Sequence, residues 1–222
     1  MSTAFRDLSN RYPVSFFTHS TLMASVFTID GDVRYMSPVF TRTLMGPEAR
    51  NGSAAGRNLC DILGEVAGRE RIGYLREVAA SREPMVVRCV IRGLQHITHF
   101  FPAVDVTNPE ETLVGAFHEV LEGVIDPAAF QDFNYIEAAW NDYGKLAQLT
   151  PRESEIAVRI GLGMDAKQIA DALTRSLETV ASHKKSLYAK MGCEGQLTAS
   201  IMIRRCGLTE RDVPRIAQVQ KM

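Results

Sequence analysis

Thr179, His183, Lys184, Lys185 and Lys190 crowd into the fifteen residues that follow Ser176, a stretch short enough to be one helix. Three lysines and a hydroxyl near the start of a helix can hold a polyanion, because exposed ammonium groups and unpaired backbone N–H groups both attract negative charge. Val180, Leu187 and Met191 recur through the same stretch at spacings of seven and four. They predict a buried stripe that leaves Ala181, Ser182, Lys184 and Lys185 outward.

The neighbouring residues read as the helices that must hold this one in place. Thr150 precedes Pro151, with Glu153 three residues on, which makes a capping box with proline at the first helical position. Ile156, Ile160 and Leu162 keep an apolar face until Gly161 and Gly163 end the run. Asp165 and Gln168 repeat the start signal for a short second helix carrying Ile169, Ala170 and Leu173, and Ser176 caps the third. The turn between the second and third is about three residues, the length with which a helix-turn-helix sets two helices at a steep angle. A fourth helix is predicted over 196–206.

These residues resemble the LuxR, also called GerE or FixJ, type of DNA-binding domain. The resemblance rests on Leu149-Thr150-Pro151-Arg152-Glu153, Lys167-Gln168-Ile169-Ala170, Thr179-Val180 with His183, and Tyr188 with Lys190-Met191-Gly192, and it covers roughly residues 148–208. It implies a regulator that binds double-stranded DNA as a homodimer, with the third helix in the major groove. By resemblance Ala181, Ser182 and Lys185 are the base-contacting positions, and Lys167, Thr179, Lys184 and Lys190 are the phosphate-contacting set. Many relatives carry a long polar or basic residue where this chain has Ala181, so readout would lean on Lys185, a thymine-methyl contact or DNA shape. Thr174 and Arg175 stand where many relatives have glycine and an apolar residue. His183 is given no chemical role.

Charge divides along the same line. Residues 150–208 hold nine Lys or Arg against six Asp or Glu, a balance of +3, and residues 1–149 hold 13 against 18, a balance of −5. The whole-chain value of −1 therefore covers two parts of opposite sign, as expected when one part meets a polyanion. The 222 residues, 45% of them hydrophobic, allow about two domains with their own cores. No apolar run approaches the roughly 18 residues of a membrane span, and the start MSTAFRDLSNRYPV lacks the apolar core of a signal peptide. Cys60, Cys89, Cys193 and Cys206 lie far apart, so neither a zinc site nor a disulfide framework is expected. A cytoplasmic protein, not membrane-bound, fits these features.

The first half reads as one α+β unit. Asp30-Gly31-Asp32 marks a hairpin between strands 25–29 and 33–37, followed by helices over 38–45 and 65–80. Three further strands are predicted over 85–94, 96–104 and 112–121; in the first, Met85, Val87, Cys89 and Ile91 alternate with a partly charged face that includes Arg88 and Arg92. Two strands, helices and three strands predict an antiparallel sheet with helices on one side. This order, with the Phe27 to Tyr35 hairpin, Ser37-Pro38-Val39-Phe40 and Gly56-Arg57-Asn58-Leu59, resembles a PAS sensor domain. Cofactors are unknown: Cys60 is displaced by one position from the photoactive flavin motif, and His96, His99 and His118 fall in no haem motif. A PAS unit used for dimerisation, or one holding a small-molecule ligand, is the expectation.

Between the halves, Asp126 and Pro127 signal a helix start. Ala129, Phe133, Ile136, Trp140, Tyr143 and Ala147 then recur at a/d spacing. The stripe fits a linker helix that packs on its own sheet or a homodimer seam through Phe133, Ile136, Trp140 and Tyr143. The expected organisation is an N-terminal extension (1–15), a PAS-like domain (16–122), the linker helix (126–147), an all-α four-helix LuxR-type domain (148–208) and a C-terminal tail (209–222). No GxSxG, HExxH or phosphate-binding loop is present, so an enzyme is not expected. The alternative from another class is a PAS-based signalling adaptor or small-ligand sensor whose helical domain binds a protein partner.

Overall fold

The computed structural model describes residues 22–104, 108 and 110–219; the N-terminal extension expected over 1–15 lies outside them. The described chain forms strands β1 (Met23–Thr28) and β2 (Val33–Met36), helices α1 (Pro38–Met45), α2 (Leu59–Leu63) and α3 (Glu65–Ser81), and strands β3 (Met85–Ile91), β4 (Leu94–Val104) and β5 (Thr112–Val120). A short strand β6 (Asn134–Glu137) follows, then α4 (Pro151–Gly161), α5 (Ala166–Leu173), α6 (Leu177–Met191), α7 (Gln196–Cys206) and α8 (Asp212–Val219). Two strands, helices and three strands come in the order expected of a PAS-like unit. The sheet has six strands in the order β2-β1-β5-β4-β3-β6, one more than predicted.

Two compact units account for the fold, and neither is one continuous segment. Among the described residues, the first comprises 22–87, 98–119 and 132–140, and the second 88–97, 120–131 and 141–219. In the first, β1 pairs antiparallel with β2 and with β5, Ser25 facing Met36 on one side and Ala116 on the other. The turn before β2 closes where Thr28 N donates to the Asp32 carbonyl and Gly31 N to the Thr28 carbonyl, each at 3.0 Å. Gly31 has φ +90, and a Cβ there would press into Ile72, so both the turn and the close helix require glycine. His118 on β5 is wedged among polar and aromatic partners: Nε2 lies 2.9 Å from Ser25 Oγ, Nδ1 lies 3.0 Å from Thr98 Oγ1, and the ring stacks on Phe40.

The linker helix expected over 126–147 does not form. Residues 127–130 make a single 3-10 turn capped by Asp126, 134–137 run extended as β6, and 144–148 make another 3-10 turn. Aromatic and β-branched residues are poor helix formers, and the stretch holds Asn134, Asn141, Asp142 and Gly144, which favour turns. Fixed acceptors compete as well: the Glu70 carboxylate accepts from Ala139 N at 2.6 Å and Trp140 N at 3.2 Å, and Asn141 Oδ1 accepts from Val90 N at 2.7 Å. The expected seam is thereby dispersed. Phe133, Ile136 and Trp140 belong to the first unit and Tyr143 to the core of the second, where it is 1% exposed.

Two other expectations change. The face of β3 read as partly charged is buried at Val86, Arg88 and Val90, Arg88 having partners inside the second unit, while Arg92 just past the strand is exposed. The expected tail is mostly helix α8, whose Ile216 is fully buried in the second unit's core with Ile156, Ile160, Ile169, Leu187, Met191 and Ile203.

Candidate nucleic-acid interface

Three capped helices build the surface that faces outward along α6. At the start of α4, Thr150 Oγ1 accepts from Glu153 N at 3.3 Å while Glu153 Oε2 accepts from Thr150 N at 2.8 Å. Helix α5 opens with the same reciprocal box, Asp165 Oδ1 accepting from Gln168 N at 2.8 Å and Gln168 Oε1 from Asp165 N at 2.9 Å. Each box satisfies two N–H groups that a helix start leaves unpaired. Ser176 caps α6 by accepting from Thr179 N at 3.1 Å, and Gly192 ends it in the left-handed region.

The turn between α5 and α6 spans residues 174–176. Its first residue, Thr174, has φ 53 and ψ 54, a left-handed conformation that costs a β-branched residue about 1–2 kcal/mol. Here lies the physical reason why glycine suits that position. Thr174 N donates to the Asp171 carbonyl and Arg175 N to the Ala170 carbonyl at 2.9 Å, which holds the strained residue in place.

Helix α6 is fixed from below by its apolar stripe, Val180, Leu187 and Met191 being at most 1% exposed. It is fixed from the side by Glu153, a residue whose second task the sequence did not disclose. The Glu153 side chain is 4% exposed, and beyond its cap it accepts from Ser186 Oγ and Lys190 Nζ, each at 2.6 Å. Burial alone would raise its carboxyl group, but the bonds from Lys190, Ser186 and Thr150 outweigh burial and bring it down to about 2. One ionised carboxylate therefore caps α4 and clamps two turns of α6. The capping box is legible in the chain, whereas its link to residues 33 and 37 positions away needs the fold.

The expected contact residues fall into two groups. Ala181, Ser182 and Lys185 on α6 and Lys167 on α5 are exposed. Thr179 is half-buried at the α6 start, its hydroxyl 2.9 Å from that of Ser176. Lys184 donates to Gln196 Oε1 at 2.6 Å, tying α6 to α7; burial lowers its ammonium below the ordinary lysine range against the opposing charge of Asp165. Lys190 is held by Glu153. Among the described residues no group of three or more His, Cys, Asp or Glu is placed to hold a metal ion, and no helix is long and apolar enough to cross a membrane.

Residues 147–203 match the family model of bacterial regulatory proteins of the luxR family. With the capped helices, the three-residue turn and the exposed face of α6, this makes the C-terminal region a LuxR-type helix-turn-helix domain. The chain is also 27% identical over 115 residues to YhjB of Escherichia coli (strain K12), a protein named as an HTH-type transcriptional regulator. That match takes in 52% of this chain and 56% of YhjB, so the chain spans little more than half the length of that relative. Among solved structures, a complex of Vibrio VqmA with ligand and DNA is 17% identical, covering 90% of this chain and 91% of its own at a TM-score of 0.48. The PAS domain of an HTR-like protein from Haloarcula marismortui is 13% identical, covering 53% of this chain and 95% of its own at a TM-score of 0.38.

Proposed function

We propose that this chain is a transcriptional regulator that binds duplex DNA as a homodimer, with α6 in the major groove and the PAS-like unit sensing a signal or mediating assembly. The observation that carries this reading is the outward face of α6, where Ala181, Ser182 and Lys185 stand exposed on a helix held rigidly along its opposite face. Residues near the start of such a helix reach base edges, and lysines beside it meet phosphates. Leu177, 54% exposed one turn before Ala181, extends an apolar strip suited to thymine methyl groups. Lys167 and the α6 start, with Thr179, supply backbone contacts. Lys184 and Lys190 take a smaller share than their charge implies, because their ammonium groups are engaged by Gln196 and Glu153.

Helix α7 supports self-association better than the dispersed linker seam. Leu197 and Ile201, one turn apart on it, are 77% and 48% exposed. Two such residues at i,i+4 form a self-complementary apolar edge in a two-fold pair. Replacing both by glutamate is expected to shift the protein to monomer in sedimentation and to abolish cooperative binding to paired half-sites.

The reading is tested by selection from random-sequence duplexes at moderate salt. The expected result is a motif of two half-sites about one helical turn, or a multiple of it, apart. Enrichment of no motif by folded protein would overturn it. A bound chromophore in the absorbance spectrum of the purified protein would assign the PAS-like unit to sensing. The protein is expected to work in a reducing cytoplasm, its four cysteines free as thiols.

A further inference from the structure

Arg88 on β3 is 3% exposed, and its guanidinium meets acceptors within the second unit. It donates to Gln95 Oε1 and to the Gly207 carbonyl at 2.7 Å each, and to Asp212 Oδ1 at 3.4 Å and Oδ2 at 3.2 Å. Asp212, at the first position of α8, is fully buried. It also accepts from the Tyr143 hydroxyl at 2.8 Å, Thr209 N at 2.9 Å and Thr209 Oγ1 at 2.8 Å. Burial would raise its carboxyl group, but the Arg88 charge and the Thr209 bonds bring it below the ordinary range, so the pair is ionised at neutral pH.

Gln95, on the other side of the same hairpin, extends the network. Its Nε2 donates to the Leu121 and Gly123 carbonyls at 3.1 and 3.0 Å, and Gly123 N donates to the Arg204 carbonyl of α7 at 2.7 Å. Gly207, the left-handed cap of α7 with φ +61, leaves no room for a Cβ, which would overlap the Gln95 amide. Val90, between Arg88 and Gln95, belongs to the same apolar core as α4 to α8. Two apolar side chains could fill this space with similar or better stability, since a buried ion pair recovers its desolvation cost only through well-placed bonds. What the forked guanidinium adds is direction, because its donors fit only one register of hairpin against α7 and α8.

We propose that Arg88 is a positioning residue of the helix-turn-helix: residues 88–97 are a built-in part of that unit, and the Arg88–Asp212 pair is the latch that makes hairpin and DNA-binding helices open and tighten together. The DNA arm of the following test rests on the reading of the previous section, and the DNA-free arm does not.

Hydrogen exchange of the full chain, followed by segment, decides it. Without DNA, Asp212→Asn and Arg88→Met are each expected to speed exchange about tenfold in both 88–97 and 207–219, with the double variant no faster than either single one. Tyr143→Phe removes one hydrogen bond to Asp212 and is expected to give a smaller rise in both segments, which keeps the test open should the charge variants misfold. Faster exchange confined to the substituted segment, or effects that multiply in the double variant, overturns the latch. With a duplex enriched by selection, the wild-type chain is expected to gain protection in 88–97 as well as in α6, and Asp212→Asn in α6 alone, an outcome that mere loss of stability would not give. Protection of α6 without 88–97 in the wild type also overturns the latch. If no duplex protects α6, the DNA-binding reading fails, and the DNA-free arm alone decides the latch.

Discussion

Two sides of α6 carry the same kinds of residue and stand in different situations. On one side, Ser182 and Lys185 face solvent; on the other, Lys190 donates to Glu153 and Ser186 gives its hydroxyl to the same carboxylate. A lysine on the third helix of a helix-turn-helix is therefore not by type a phosphate ligand. The partner within reach decides: where a buried carboxylate is near, the lysine becomes part of the scaffold, and where only water is near, it remains available to an anion.

The largest expected effect lies on the scaffold side. Glu153→Ala removes a buried carboxylate with partners on two helices and is expected to cost about 3 kcal/mol in urea unfolding, together with loss of DNA binding. The same residue sets a pH dependence. Its folded value of about 2 lies below the ordinary 4.5, so its contribution, roughly 3 kcal/mol, is fully present above pH 4.5 and is lost as the pH falls from there toward 2. Unfolding midpoints measured across that range should fall steeply in the wild type and more shallowly in Glu153→Gln. A flat wild-type profile would place Glu153 outside the scaffold.

A smaller effect sharpens the exposed side. Lys167→Ala is expected to weaken binding to all duplexes alike and to reduce the slope of log affinity against log salt by about 1 for each half-site, without moving the thermal midpoint. An unchanged slope would remove Lys167 from the phosphate set. The smallest effect is at the turn between α5 and α6: Thr174→Gly should relieve the left-handed strain and raise stability by about 0.5–1 kcal/mol in denaturant unfolding, and a loss of stability would contradict the strain.

How much was legible in advance follows the kind of signal. The helices of the C-terminal region were readable because each announces itself locally, through Thr150 with Glu153, Asp165 with Gln168, and Ser176, and the predicted span of α7 matches the one found. Phe133, Ile136, Trp140 and Tyr143 have similar periodicity but little else that favours a helix. Periodicity says which residues are apolar, whereas caps and propensity say whether a helix can use them. Arg88 follows the same rule: alternation marks its face of the strand as partly charged, and only the contact with Asp212, 124 positions away, shows that it turns inward. The outward face of α6 was readable, but the engagement of Lys184 and Lys190 was not, since both partners lie on other helices.

The most direct test compares Lys185→Ala with Lys190→Ala, measuring affinity for a selected duplex and the thermal midpoint of each. Lys185→Ala should lose about tenfold in affinity for the selected sequence, little for random duplex, and leave the midpoint within a degree or so. Lys190→Ala should lower the midpoint by about 6 °C, from roughly 2 kcal/mol for a carboxylate left buried without its cation, and change affinity for both duplexes only as far as unfolding does. The reverse pattern, with Lys190 carrying the affinity and Lys185 the stability, would contradict the division of α6 into a reading side and a scaffold side.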